Sequence, residues 1–266
     1  MVSVLERKKA DLNLDKFQNV FSKYCSVFGK KFGIDINHLL PSRQLVSKTD
    51  DLYVNVDNII DFFVSISNEV SAVYKNESVK KSGQFHTSSL DVIELILKNV
   101  VDFEAENTIE KKFLEPSCGT GIFLLFIIYK LYQKGHSKED LINFINHNLV
   151  GFDILPEMVY FTKLNIQCLM AYLFKDDASI QDKLNPRIYV TDTTFKPEGE
   201  MGQLELFDTG LKFVETEEAA KVKLDAVKGI DQFDYVVGNP PYVTLYGRRD
   251  KKKTEALRNY YINPWC

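Results

Sequence analysis

The residues best suited to chemistry are Asn239-Pro240-Pro241-Tyr242, which come directly after an apolar run at positions 233–237. The run predicts a buried strand. Two consecutive prolines fix the backbone dihedral φ and have no N–H to donate. The end of this strand therefore offers hydrogen-bond acceptors, followed by an aromatic face. Together these groups can hold the N–H bonds of an amine and stack on a planar ring.

A cluster of basic residues follows shortly afterwards. It consists of Arg248, Arg249, Lys251, Lys252 and Lys253, and is called the basic cluster below. A charge run of this kind is usually a solvated loop. Contact with nucleic-acid phosphates is the alternative interpretation. The net charge of −4 argues against a generally basic nucleic-acid coat protein.

A second candidate site is the stretch Glu115-Pro116 and the five residues 117–121 after it, called the glycine loop below. Gly119 and Gly121 permit a tight turn and close approach of the backbone to a ligand, although a purely structural turn is the commoner explanation of a glycine pair. The loop lacks the Lys-Ser/Thr pair of a P-loop, and Leu124 occupies the third glycine position of a dinucleotide fingerprint. A nucleoside-bearing ligand without a triphosphate fits this loop better.

Two aspartates end the next two predicted strands. Asp153 follows the run 149–152, and Asp192 follows the run 187–191. A carboxylate can accept hydrogen bonds from both hydroxyls of a ribose. Asp153 could equally be the N-cap of the helix that follows it. Because ligands of parallel sheets bind beyond the carboxyl ends of the strands, four polar strand ends in succession indicate one site.

The elements that must position these residues change character near residue 80. Residues 1–80 show helical apolar periodicity and predict a small helical region that serves as scaffold. Residues 81–266 alternate short apolar strands with helices, which is typical of a parallel α/β sheet. We expect a first helix at about 90–100, a helix capped by Ser137 and a helix that begins at Pro156.

Composition sets the remaining limits. With 266 residues, 45% of them hydrophobic, the chain can bury one substantial core. The four cysteines are widely separated, which predicts reduced thiols in a cytoplasmic protein. The longest apolar run, at 121–132, is too short for a membrane span and is better interpreted as a buried helix. The spacing of His, Cys and carboxylate residues predicts no metal site.

The order of these motifs resembles the N6-adenine DNA methyltransferases of restriction–modification systems. The resemblance rests on "FLEPSCGTGIFL" and "NPPY", and on "SGQFHTSSLDVIELIL" upstream, in which Ser88 stands where that family usually has proline. It covers about residues 82–245. It implies a Rossmann-like methyltransferase core, S-adenosylmethionine as methyl donor, and double-stranded DNA with a flipped adenine as partner. A specificity domain or subunit is a further expected partner.

The resemblance also implies roles for individual residues. Asn239 and Pro240 would accept the N–H bonds of the adenine amine through a side-chain oxygen and a main-chain carbonyl, and Tyr242 would stack on the base. The basic cluster would hold DNA phosphates. The implied cofactor-binding residues are Thr87, Glu115, Ser117, Gly119, Gly121, Asp153, Ile154 and Asp192.

Two alternatives stay open at this point. A methyltransferase acting on another amino nitrogen, N4 of cytosine or a protein glutamine, would use similar chemistry. A non-catalytic subunit could bind cofactor or DNA without turnover. Only about 24 residues follow Tyr242, and we expect these to be too few to supply the strands that lie beyond the catalytic strand in this family. We therefore expect an incomplete methyltransferase core that is poorly active alone.

Overall fold

The computed structural model describes residues 14–41, 58–74, 89–175, 177, 179–191 and 232–239. Its N-terminal part is helical, as predicted. A 3-10 turn, Asp15–Phe17, leads into helix α1, Gln18–Tyr24, which continues as a π-helical segment, Cys25–Phe32. Helix α2 spans Ile59–Val73. The helical apolar periodicity predicted for residues 1–80 is confirmed in the first of these segments, where the buried residues are Phe17, Val20, Phe21, Tyr24, Val27 and Phe28.

The rest of the described chain alternates helices and strands, which confirms the predicted α/β class. The elements are α3 (Leu90–Val100), a 3-10 turn (Glu106–Glu110), β1 (Phe113–Glu115), α4 (Ile122–Gln133), α5 (Lys138–His147), β2 (Leu149–Asp153), α6 (Pro156–Leu173), α7 (Ser179–Lys183), β3 (Arg187–Val190) and β4 (Tyr235–Val236). Helix α7 was not expected. Ser137 caps α5 through a reciprocal capping box with Asp140, and Pro156 lies in the first turn of α6, both as predicted.

The four strands form one parallel sheet in the order β3-β2-β1-β4. Strand β1 pairs with β2 on one side and with β4 on the other. The chain therefore builds the sheet outward in one direction from β1 to β3 and then returns to the opposite side of β1. A reversal of this kind leaves a crevice at the carboxyl ends of the two strands on either side of it, here β1 and β4.

The N-terminal helices pack along helix α6. The ring of Phe161 lies 5.0 Å from the ring of Phe17 and 5.6 Å from that of Phe21. Further along, the rings of Phe32 and Tyr172 are 4.8 Å apart. These side chains belong to a single hydrophobic cluster that extends from the N-terminal helices to the helices around the sheet. The predicted boundary near residue 80 lies outside the described residues.

Helix α4 is mostly apolar, and its residues 122–128 are all buried, as expected of a helix enclosed by its neighbours. It approaches β2 closely at Gly151. A Cβ atom on this glycine would lie 2.9 Å from Ile188 Cδ1 and 3.1 Å from Leu124 Cδ1. Among the described residues, no helix is both long and apolar enough to cross a bilayer.

Gly151→Ala should therefore lower the free energy of unfolding by about 1–3 kcal/mol, because the added methyl group overfills the space between α4 and β3. Gly29→Ala is the matched control, since a Cβ there would meet no atom within 4 Å. The control should leave stability unchanged or raise it by up to about 1 kcal/mol. Urea unfolding of both variants tests this, and equal stabilities would contradict the packing at Gly151.

Candidate functional site

The glycine loop connects β1 to α4 and contains two residues with left-handed backbone. Gly119 has φ +54° and Gly121 has φ +86°, a region that side chains other than glycine rarely adopt. A Cβ on Gly121 would lie only 2.7 Å from Thr162 Cγ2, whereas one on Gly119 would meet nothing within 4 Å. Gly121 is thus required by packing against α6 as well as by conformation. At Gly119 the backbone is open to close approach by a ligand.

Asp153, at the end of β2, fastens the glycine loop to the neighbouring strand. Its Oδ2 accepts a hydrogen bond from the Gly119 N–H at 2.8 Å, and its Oδ1 accepts one from the Leu155 N–H at 2.9 Å. The N-cap of α6 is Leu155, so the alternative that Asp153 itself caps this helix is wrong. A carboxylate has about four acceptor sites, so it can accept a further hydrogen bond.

The environment of Asp153 makes its charged form less favourable than it is in water. Burial raises its pKa to about 6, against the opposing effect of hydrogen bonds from the backbone of Leu155, Gly119 and Ile154. Thr191, which follows β3, donates its N–H to the Asp153 carbonyl at 2.9 Å. The carboxyl ends of β1, β2 and β3 are therefore joined by direct hydrogen bonds around this aspartate.

Glu115, at the end of β1, is buried with a relative exposure of 2%. Its Oε2 has no hydrogen-bond partner among the described residues. Burial raises the pKa of Glu115 well above its usual range, and the nearby charge of Asp153 adds to the effect. A buried carboxyl group with an unused oxygen is suited to a proton or a cationic group of a ligand.

Strand β4 brings Asn239 to this edge of the sheet. The residue before it, Gly238, has φ +154°, and a Cβ there would lie 3.2 Å from Glu115 Cγ. Asn239 itself is half-buried. The end of β4 thus lies against the end of β1, and Gly238 allows this contact because it has no side chain.

Several buried side-chain oxygens at this edge have no hydrogen-bond partner in the described part of the chain. They are Glu115 Oε2, Ser117 Oγ, Thr120 Oγ1 and Thr191 Oγ1. Buried polar atoms are paired in the great majority of cases. Their concentration at the carboxyl ends of β1 and β3 indicates a place where a polar ligand completes the hydrogen bonding.

Helix α6 supports the glycine loop through two side chains that the sequence interpretation missed. Thr162 donates its hydroxyl to the Gly119 carbonyl at 2.7 Å, and Asn165 donates its amide to the Thr120 carbonyl at 2.9 Å. Both side chains are fully buried. No local signal marks this role, because threonine and asparagine are common in helices and the polar residues Lys163 and Gln167 lie in the same stretch.

The structure brings most of the expected cofactor residues together. Glu115, Ser117, Gly119, Gly121, Asp153 and Ile154 lie at the carboxyl ends of β1 and β2, and Asn239 lies at the adjacent end of β4. The remaining expected residues are outside the described part of the chain, and their roles stay predictions. These are Thr87, Asp192, Pro240, Tyr242 and the basic cluster.

The family model of Eco57I restriction-modification methylases matches residues 147–264. The chain is similar to restriction–modification methylases. The matched range contains β2, α6, β3, β4 and the Asn-Pro-Pro-Tyr stretch, and it begins after the glycine loop. The resemblance inferred from the sequence is thus confirmed for this part of the chain.

Solved structures with low sequence identity also align with most of the chain. A nuclease-deletion mutant of the Type ISP restriction-modification enzyme LlaGI, in complex with a DNA substrate mimic, has 14% identity over 89% of this chain with a TM-score of 0.48. The ATP-dependent Type ISP restriction-modification enzyme LlaBIII bound to DNA has 16% identity over 92%, with a TM-score of 0.48. A DrdV–DNA complex has 17% identity over 90%, with a TM-score of 0.46.

The chain spans 20%, 18% and 22% of the lengths of these three proteins, respectively. No curated protein sequence matches it significantly.

The buried Glu115 predicts a pH dependence of stability. Its folded-state pKa lies above the ordinary value of 4.5, so the folded state retains this proton to higher pH than the unfolded state does. Its contribution to stability is complete below about pH 4.5 and is lost as pH rises through the folded-state pKa. Asp153, with a pKa of about 6, acts in the same direction.

Glu115→Gln should therefore flatten the decline of the unfolding free energy between pH 4.5 and neutral pH, because glutamine does not titrate. Glu106→Gln is the control, because Glu106 is exposed. Urea unfolding across this pH range measures the slopes. Parallel profiles for wild type and Glu115→Gln would show that Glu115 is not buried as described.

Proposed function

We propose that this chain carries the cofactor-binding and catalytic part of a DNA methyltransferase that modifies N6 of adenine, using S-adenosylmethionine, in a restriction–modification system. The observation that carries the proposal is the contact between the ends of β1 and β4. It sets Asn239 beside Glu115 and the glycine loop, at the reversal of the sheet. The match to restriction-modification methylases supports the reaction class.

The residues at this edge fit the chemistry of the cofactor. S-adenosylmethionine carries a ribose diol, an ammonium group and a sulfonium centre, and it supplies an electrophilic methyl group when bound. Asp153 would hold the ribose, because the three backbone N–H groups that bond to it leave acceptor capacity on a carboxylate with about four lone-pair sites. Glu115 would face a cationic part of the cofactor, which would compensate its buried charge. Gly119 would let the backbone approach the ligand.

Further residues complete the proposed cofactor site. Ser117 contributes a buried hydroxyl without a partner among the described residues, and Gly121 keeps the loop packed against α6. Ile154 would line the site beside Asp153. Thr87 and Asp192 are assigned here from the sequence resemblance alone.

Asn239 would act on the acceptor base. The lone pair of an exocyclic amine is delocalised into the ring, which makes the nitrogen a poor nucleophile. Acceptors that hold its N–H bonds draw the lone pair toward the methyl group and stabilise the positive charge that develops. The Asn239 side-chain oxygen and the Pro240 carbonyl would be these acceptors. Tyr242 would stack on the base after it leaves the helix.

The basic cluster would anchor DNA phosphates next to this site. Phosphate contacts release counterions, so DNA binding by the chain should weaken steeply with salt and show little sequence preference. A specificity domain or subunit would supply the sequence reading.

The first test of this function is cofactor binding. Calorimetry should detect S-adenosylmethionine and S-adenosylhomocysteine binding to the chain. Asp153→Ala should weaken both, because a hydrogen bond to a charged group contributes about 1.5–3 kcal/mol. Asp182→Ala, an exposed residue of α7, is the control and should bind normally. Absence of binding at millimolar ligand by folded protein would refute the proposed cofactor site.

The second test separates catalysis from cofactor binding. In a complete methyltransferase that contains this chain, Asn239→Ala should reduce methyl transfer to duplex DNA at least about a hundredfold, because Asn239 acts on the amine at the transition state. Its cofactor affinity should stay within about twofold of wild type. Gln232→Ala, an exposed residue before β4, is the control.

Mass spectrometry of the nucleosides identifies the product of this reaction. N6-methyladenine supports the proposal, whereas N4-methylcytosine or a methylated protein glutamine would replace it by a related reaction. Cofactor binding without any transfer by the complete methyltransferase, even to unmodified DNA of varied sequence, would make the chain a binding subunit.

A further inference from the structure

We propose that the N-terminal helical region sets the shape of the glycine loop, and thereby the affinity for the cofactor, through Tyr24 and Asn165. These two residues are positioning residues, since neither belongs to the glycine loop or the strand ends that form the site. The inference rests on the proposed function, because it concerns the cofactor site. It gives the N-terminal helices a role beyond the scaffold expected from the sequence.

A continuous chain of hydrogen bonds joins helix α1 to the glycine loop. The Tyr24 hydroxyl bonds to Asn165 Oδ1, and Asn165 Nδ2 bonds to the Thr120 carbonyl at 2.9 Å. Tyr24 and Asn165 are completely buried, and Thr120 is 4% exposed. The contact spans 141 positions in sequence, from the first helix to the middle of α6.

The Thr120 carbonyl, at one end of this series of hydrogen bonds, determines the direction of every hydrogen bond in the series. A carbonyl can only accept, so the Asn165 amide group must face Thr120 with its nitrogen. Its oxygen then faces Tyr24, whose hydroxyl must donate. The side chain of Asn165 therefore has one productive orientation, and Tyr24 is the donor that makes it favourable. Removal of the hydroxyl would leave a buried amide oxygen with no partner in the described structure.

The glycine loop needs external support because its backbone has no strong conformational preference. Thr120 lies between two glycines with positive φ, and glycine populates several backbone regions with similar ease. Thr162 holds the Gly119 carbonyl and Asn165 holds the Thr120 carbonyl, so two successive peptide groups are attached to α6. Loss of one attachment should allow the loop to populate other conformations.

Tyr24 is itself held rigidly by the N-terminal helices. Its ring meets the ring of Phe62, on α2, edge to face at 5.3 Å and lies 6.5 Å from that of Phe28. The hydroxyl position therefore depends on how α1 and α2 pack against α6. This packing links the N-terminal region to the site.

Only molecules whose glycine loop has the conformation needed for binding can take up the cofactor, so the measured affinity depends on the fraction of such molecules. The apparent dissociation constant equals the intrinsic one divided by that fraction. One neutral hydrogen bond changes an equilibrium constant by roughly three- to tenfold. Tyr24→Phe should therefore weaken cofactor binding, by up to about tenfold, while the aromatic packing is preserved.

Tyr160→Phe is a matched control. Tyr160 is a buried tyrosine of α6 that also packs on Phe21, but its hydroxyl has no hydrogen-bond partner among the described residues. Its removal should leave cofactor affinity unchanged. Thr162→Val, compared with Thr162→Ser, tests the second attachment in the same way, since only serine keeps the hydroxyl that bonds to Gly119.

The experiment measures the dissociation constant of S-adenosylhomocysteine by calorimetry at a temperature where every variant is folded. A loss of global stability alone does not change this constant while nearly all molecules are folded. A double-mutant cycle adds Asn165→Ala. If Tyr24 acts through Asn165, Tyr24→Phe should have little further effect in that background.

Amide hydrogen exchange provides a readout that does not need the cofactor. The N–H groups of Cys118, Gly119 and Gly121 are bonded to the Phe152 carbonyl, the Asp153 carboxylate and the Cys118 carbonyl, respectively. They should exchange at least about threefold faster in Tyr24→Phe than in Tyr160→Phe.

Equal affinities for the two phenylalanine variants, with equal exchange in the loop, would overturn the proposal. If the wild-type chain does not bind the cofactor at all, the proposed function fails instead, and the exchange rates alone decide whether Tyr24 positions the loop.

Discussion

The site depends above all on the position of β1 between β2 and β4. Parallel pairing aligns the carboxyl ends of neighbouring strands, so any polar residue that follows β1 lies near those that follow its two partners. Glu115 accordingly meets the charge of Asp153 on one side and Gly238 on the other. A sheet with β4 on the far side of β3 would separate Asn239 from the glycine loop by two strands.

The interior of this protein combines large aromatic packing with a small set of buried polar groups. Phenylalanine rings from the N-terminal helices cover α6, and hydrophobic burial supplies the stabilisation that such a region needs. Within this apolar surface, Thr162, Asn165 and Tyr24 pair their polar atoms with one another or with the loop backbone. An unpaired polar group there would be costly, so these contacts specify one arrangement of loop and helix.

At the carboxyl ends of the strands, by contrast, several buried polar atoms are not paired with other described residues. Buried oxygens of Glu115, Ser117, Thr120 and Thr191 have no partner among the described residues, at the same edge where two carboxyl groups have raised pKa values. Buried polar atoms without partners, together with carboxyl groups of raised pKa, are typical of ligand-binding sites. Residues 147–264 are similar to restriction-modification methylases, which associates the part of this edge that they contain with methyl transfer.

The sequence by itself determined the elements and the nature of the candidate residues. Apolar runs predicted α4 and the strands, because buried elements need apolar side chains, and Pro156 predicted the start of α6, because proline suits the first turn of a helix. The glycine pair and Asp153 were recognised from local residue types, since turn conformation and hydrogen-bonding capacity are properties of single residues. The π-helical segment and α7 were not predicted, because their boundaries depend on neighbours distant in sequence.

Only the tertiary structure decided which of these residues meet. The order of strands in a sheet, the contact of Gly238 with Glu115 and the attachment of Gly119 to Asp153 all join segments far apart in the chain. Thr162, Asn165 and Tyr24 have side chains common in any helix, and nothing local marks them as partners of a loop. Their role arises because buried polar atoms must find partners, and the partners available are set by packing.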